Sequence, residues 1–247
     1  MAGRAIYDIS GKDREHFLQG LVSNDLRKLK DGAIYAALLT PQGKYLADFF
    51  LVPWGDSILL DIDRDLAEAT IKRLSMYKLR AEVAIAPSPL HVFCGTGTPP
   101  EGAFTDPRTP AMGWRLYGEA EGDDGSDWEA LRVAHLVPAS GVELTPESYI
   151  LEMGFERLNG VDFRKGCYVG QEVTARMKHK TELRKGLVRV SVSAPVAVGS
   201  DILTDGETGP RPVGTLYTQS NGEGLAYIRL DRADGTLHAN SARVQLL

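Results

Sequence analysis

Cysteine is nearly missing from this chain: there are two, Cys94 and Cys167, with no Cys-x-x-Cys pair. That excludes a disulfide-stapled secreted domain and any site built from several thiolates, and it favours a reducing compartment. The five histidines lack H-x-x-x-H or comparable spacing, so no preformed zinc site is expected. No apolar run approaches the ~18–20 residues of a membrane span. The first eight residues hold nothing like a signal-peptide core. These absences read together as a soluble, cytoplasmic protein without a membrane partner. Excess positive charge is also lacking: the formal net charge is −5, which argues against direct nucleic-acid binding. There is no internal repeat and no low-complexity tract.

What remains is an ordinary globular composition, 43% hydrophobic and 25% charged over 247 residues, enough for one large domain or two smaller ones. Ser10-Gly11-Lys12-Asp13 has capping-box spacing before a helical face of Phe17, Leu18 and Leu21. Two β-rich runs, 34–39 and 45–52, flank Thr40-Pro41-Gln42-Gly43-Lys44, which reads as a hairpin connection. A further run at 57–62 precedes a helix expected over 65–78, its apolar face drawn through Leu66, Ala69, Leu74 and Tyr77. Residues 87–125 are rich in Pro and Gly and predict short strands joined by loops. Helices are expected over 126–136 and from Thr145-Pro146-Glu147, where an N-cap, a first-turn Pro and an acid coincide. After Lys185 the pattern alternates with period two, and Asp205-Gly206, Asn221-Gly222 and Asp234-Gly235 mark turns. The division predicted is a body over 1–185 and a small β-barrel or sandwich over 186–247.

The chemistry concentrates in Arg164-Lys165-Gly166-Cys167-Tyr168-Val169-Gly170-Gln171-Glu172. Gly166 permits a tight turn, and the residues after Cys167 suit a helix with Glu172 and Arg176 one turn apart. A cysteine near a helix N-terminus, with Arg164 and Lys165 close by, favours the thiolate, the nucleophilic and metal-binding form. The competing reading is a lone cysteine buried as a small hydrophobe.

Lys165 to Glu172 resembles the signature of the YgfZ/GcvT-like folate-binding family. Weaker patches extend the resemblance in the same order along the chain: Phe17-Leu18-Gln19-Gly20 with Ser23-Asn24-Asp25, Leu39 to Lys44 with Leu46-Ala47-Asp48-Phe49, Asp106-Pro107-Arg108, Leu131-Arg132-Val133 and Glu152-Met153-Gly154. The resemblance implies an α+β fold like that of the glycine cleavage T-protein, an aminomethyltransferase, made of two interleaved α/β subdomains and a C-terminal small β-barrel. It further implies binding of tetrahydrofolate or a substituted form. The partners implied are iron–sulfur assembly proteins or client iron–sulfur enzymes, including tRNA-modifying ones. Carried onto this sequence, Cys167, Lys165 and Asp48 take catalytic roles. Arg132, Asp48, Asn24 and Gln171 take cofactor-binding ones.

Alternatives stand beside these assignments. Asp48 matches the T-protein's catalytic acid or else caps a turn at a strand end, and Arg132 holds a pterin or is a solvated helix arginine. The T-protein's pterin-contacting segment is not evident; Gly113-Trp114-Arg115 occupies the comparable stretch. The T-protein lacks the signature cysteine, so folate binding can persist while the chemistry differs. Two other functions fit the same residues: a one-carbon transferase, and a scaffold regulated through its thiol. Cys94, in an apolar strand, is expected to be core. The basic run Arg176, Lys178, His179, Lys180, Arg184, Lys185 is a solvated face or a receptor for a polyglutamate tail.

Overall fold

The computed structural model describes residues 3–180, 183–205 and 209–247, without the side chain of Lys180. The chain forms two compact units. One takes the sequence up to Ser126 together with Phe155–Ala175; the other takes Asp127–Gly154 and Arg176–Leu247.

In the first unit, β1 (Arg4–Ser10) leads through α1 (Arg14–Gln19) to β2 (Ile34–Leu39), β3 (Tyr45–Trp54) and β4 (Ser57–Asp63). Helix α2 (Arg64–Lys78) and an edge strand β5 (Ala84–Pro87) follow, completing a five-stranded antiparallel sheet of order β2-β3-β4-β1-β5. Every residue of β2 is buried, as a near-continuous apolar run predicts for a strand covered on both faces. The hairpin expected at 40–44 forms, with Thr40 N–H donating to Lys44 O and Gly43 in a left-handed conformation. Ile9, Leu18, Val22, Leu38, Phe49, Leu51, Leu60, Ile62 and Leu74 make the core.

Two local expectations are corrected here. Helix α1 does form, but its N-cap Asp13 makes no capping bond; Asp13 Oδ2 instead accepts from Glu82 N–H, 69 residues away. The buried face of α2 is Ala67, Thr70 and Leu74, a stripe that includes a polar residue and is therefore invisible to an apolar count. Tyr77 is exposed.

A second sheet in this unit comprises β6 (His91–Gly95), β7 (Phe104–Thr105), β8 (Trp114–Gly118) and β9 (Gly122–Asp123), ordered β7-β8-β6-β9. Cys94 lies in β6 and is buried, as expected.

In the second unit, α3 (Trp128–Ala134) starts at Asp127, whose carboxylate accepts from Ala130 N–H; it is shorter than the 126–136 span predicted. The helix predicted from Thr145 is absent. Thr145 and Ser148 bond each other's backbone and side chains locally, closing a turn that does not propagate. Helix α4 (Gln171–Lys180) begins in the first unit and ends in the second. Then β10 (Lys185–Val192), β11 (Ser200–Thr204), β12 (Arg211–Ser220), β13 (Glu223–Arg229), β14 (Leu237–Ala239) and β15 (Ala242–Leu246) close a barrel of order β10-β13-β12-β11-β14-β15. Asn221-Gly222 turns β12 into β13 with positive φ at both residues (53° and 77°), the geometry a tight hairpin requires. The turn expected at Asp205-Gly206 lies outside the described residues. Among the described residues, no helix is long and apolar enough to cross a membrane, and no group of three or more His, Cys, Asp or Glu could hold a metal ion.

Candidate functional site

The signature loop is anchored at its base by a buried ammonium. Lys165 is 5% exposed, and its Nζ donates to the carbonyls of Gln19 (2.8 Å), Val22 (2.5 Å) and Asn24 (2.9 Å). Burial lowers its pKa to about 8, against the opposing pull of the Asp25 and Asp162 charges. Those three carbonyls end α1 and the turn after it, so the two sequence patches that resemble the family meet here. The Ser23 hydroxyl donates to Gly160 O, and Asp162 N–H donates back to Ser23 O. The Asn24 amide donates to Tyr35 O and Asn159 O, while its oxygen accepts from Asp25 N–H and Lys28 Nζ. Lys28 also pairs with Asp162 at 2.7 Å.

Beyond Lys165 the loop surfaces briefly. Gly166 and Cys167 are exposed, and Tyr168 is buried again with its ring 4.9 Å from Lys165 Nζ. Cys167 is therefore not a core residue, and it precedes the first residue of α4 by four positions. Gly170 packs so tightly against the hairpin that a Cβ there would lie 2.7 Å from Thr40 O, and its φ is +85°. No other residue type fits. Gln171, half-buried, opens α4 and donates its backbone N–H to Tyr168 O.

Asp48 lies within β3, opposite Ala37 in β2, and not at a strand end. The turn-capping alternative is thus overturned. Its carboxylate is buried and accepts from the hydroxyls of Tyr35 (2.8 Å) and Tyr45 (2.5 Å). Burial, with the Asp48 charge added, pushes the Tyr35 phenol well above its ordinary pKa, so it stays a donor. Tyr35 stacks on Phe155 with centroids 5.0 Å apart, and Arg108, clasped by Asp106 through two bonds, sits over the Tyr35 ring at 5.7 Å. Sequence reasoning missed both phenols. A signal existed for one of them: once the 40–44 turn pairs residue 37 with 48, residue 35 falls on the same face by period two, whereas Tyr45, three positions from Asp48, reaches that face only through the pairing irregularity between Leu38 and Leu39.

Near this group lies a second buried set. Asp61, fully buried, accepts from Arg4 Nε (2.6 Å), Arg115 Nη2 (2.6 Å) and the Tyr117 hydroxyl (2.8 Å). Burial raises the Asp61 pKa, but the charges of Arg115 and Arg4 outweigh it and leave the carboxyl lowered. Burial likewise raises the Cys94 thiol.

Arg132 belongs to the second unit. Its guanidinium donates to Val137 O, to Glu143 Oε2 (3.1 Å) and to the Thr218 hydroxyl (2.7 Å). It is thus not a solvated helix residue, and both of its Nη atoms are engaged within the chain. Glu143 is saturated too, accepting from Ala139 N–H, Thr218 N–H and the Thr218 hydroxyl. This knot ties α3 to barrel strand β12.

A reduced pterin presents N–H donors, and the donor set of this chain fits it in part. Asp48 is a buried acceptor held in place by two phenols, whereas the side-chain amide of Asn24 and both Nη atoms of Arg132 are already engaged within the chain.

Comparison with known proteins fixes the class first. The glycine cleavage system aminomethyltransferase T of Bartonella henselae superposes with a TM-score of 0.76 over 99% of this chain and 82% of that one at 13% sequence identity, which shows a shared fold. Residues 184–247 match the family described as the CAF17 C-terminal beta-barrel domain. This is thus an aminomethyltransferase-type body with a CAF17-type barrel. The iron–sulfur cluster assembly factor IBA57 of Mus musculus is 32% identical over 99% of this chain and 81% of its own length. That of Homo sapiens is 31% identical over 97% and 79%. The chain belongs to the IBA57 family of iron–sulfur cluster assembly factors. Both relatives are named mitochondrial, which overturns the cytoplasmic location expected from composition and points to the mitochondrion.

Proposed function

We propose that this chain is an iron–sulfur cluster assembly factor that works through Cys167 and is tuned by a reduced folate at Asp48. The observation that carries the reading is the exposed Cys167 on a loop whose two flanks are buried. A single thiol cannot supply the four ligands usual for a cluster, so the cluster is cargo, and the remaining ligands come from an assembly protein or client enzyme. Tetrahydrofolate, when bound, would supply ring N–H donors and a one-carbon acceptor nitrogen. Asp48 would accept from it, oriented by the Tyr35 and Tyr45 hydroxyls. Clients in this reading include iron–sulfur enzymes that modify tRNA.

The test has two arms. In cells lacking the gene, Cys167→Ser should fold yet leave iron–sulfur enzymes inactive, because serine lacks soft-metal affinity. Full rescue by Cys167→Ser removes the thiol from the function. In calorimetry, Asp48→Asn should weaken tetrahydrofolate at least about tenfold, the loss of one charged hydrogen bond. Unchanged affinity removes Asp48 from the site. Turnover of a one-carbon folate adduct by the purified chain would make it a transferase instead.

A further inference from the structure

The thiol stands on an arch pinned at both feet. Of four consecutive residues, Lys165 and Tyr168 are buried while Gly166 and Cys167 are exposed. The foot at Lys165 is unusual. A lysine almost never lies fully inside a protein unless a carboxylate neutralises it, yet all three N–H donors of this ammonium go to neutral carbonyls. Its nearest acids are otherwise engaged, Asp25 by Arg27 and Asp162 by Lys28. A charge buried this way neutralises nothing. What it does is geometric: three carbonyls converging on one nitrogen fix its position, and with it the start of the loop.

The platform under that nitrogen is itself fixed. Ser23 and Asn24 reach Gly160, Tyr35 and Asn159, so the 19–24 segment cannot shift without breaking several buried bonds. The Lys165 donors point into this platform and are not free to exchange protons with a partner. Resting on the reading of Cys167 as the working thiol, we propose that Lys165 is a positioning residue, whose ammonium sets the direction in which Cys167 leaves the surface.

The experiment uses the full chain carrying Lys165→Met, which keeps the stem and removes the donors, and Lys165→Arg, which keeps charge and donors. Three measurements are made: thermal melting, peptide-resolved alkylation of Cys167 by iodoacetamide, and restoration of iron–sulfur enzyme activity in cells lacking the gene. The expected result is a split. Lys165→Met melts cooperatively and alkylates within about threefold of wild type, because a small reagent reaches an exposed thiol from any angle. It restores less than about a tenth of the activity, since a misplaced reacting group costs at least that much. Lys165→Arg recovers part of the loss. Should Lys165→Met fail to melt cooperatively, Lys165→Gln replaces it with the same expected split. Full activity in the donor-free variant overturns the proposal. So does alkylation that falls in step with activity, which would mean that Lys165 tunes the thiol and not its placement. Full activity in Cys167→Ser is a different failure and strikes the functional reading itself.

Discussion

The first unit buries two kinds of charge, and they are solvated in opposite ways. Asp61 is held by ions, with Arg4 and Arg115 both at 2.6 Å, while Lys165 is held by carbonyl dipoles alone. The consequence shows in their protonation. Burial lowers Arg115, yet the Asp61 charge more than restores it and leaves the guanidinium well above its ordinary value. Burial lowers Lys165 and nothing restores it fully, so it rests at about 8. An ion-paired charge is locked; a dipole-solvated one is conditional. The locked pair joins the two sheets of its unit, and the conditional charge sits at the foot of the thiol loop.

Breaking the locked pair should have the largest effect. Asp61→Asn leaves the buried Arg115 with only Asp106, 3.7 Å away, as a counter-ion and strips Arg4 of its carboxylate, and a loss of about 3–5 kcal/mol is expected in chemical denaturation. Replacing both partners, as Asp61→Leu with Arg115→Met, should cost less than the sum of the singles, because the buried guanidinium is removed together with its carboxylate and the charge left behind is that of the partly exposed Arg4. Additive losses would show that the pair is not energetically coupled.

Lys165→Met comes next, at about 1–3 kcal/mol, the cost of leaving carbonyls unpaired after removing a charge that burial already penalised. Its pH signature sharpens the contrast. The folded pKa of about 8 lies below the ordinary lysine value of 10.5, so between them the unfolded chain binds more protons. Stability carried by this residue therefore rises with pH across that window. Subtracting the Lys165→Met curve from wild type should expose this rise; a flat difference from pH 8 to 10.5 would mean that the ammonium is not desolvated. Asp61→Asn should show no such feature there.

The two cysteines follow, and the exposed one gives the smallest effect. Cys94→Ser buries a hydroxyl in an apolar strand and should cost about 1–3 kcal/mol, whereas Cys167→Ser at the surface should stay within about 0.5 kcal/mol. Equal losses would place the two thiols in the same environment, against their burial.

Much of this was legible in residue order. The 40–44 hairpin, the barrel with its Asn221-Gly222 turn, the burial of Cys94 and the exceptional character of the 165–172 stretch all follow from period, turn chemistry and motif. Local signals failed where a competing short-range bond or a distant partner won. Thr145-Pro146-Glu147 has every mark of a helix start, but the turn closes on Ser148 instead. Arg132 reads as an available cation because Glu143 and Thr218, its partners, lie 11 and 86 residues away. The Lys165 platform was hidden for the same reason: its acceptors are backbone carbonyls, which carry no residue-specific mark, 141 to 146 residues upstream. The correction from cytoplasm toward the mitochondrion came from the names of relatives, not from composition.

The interleaving of the two units has a consequence for time as well as space. A chain emerging from the ribosome makes the 19–24 carbonyls early, then makes residues 127–154 for the other unit, and only afterwards returns with Phe155–Ala175. The first unit stays unfinished until that return, and the bonds of Lys165 close a loop of more than 140 residues, a late event because long-range contacts must wait for the chain between them. The last piece fitted is the piece that bears Cys167. A nascent or misfolded chain thus has no ordered Cys167 loop, and completion of the body becomes the condition for presenting that thiol.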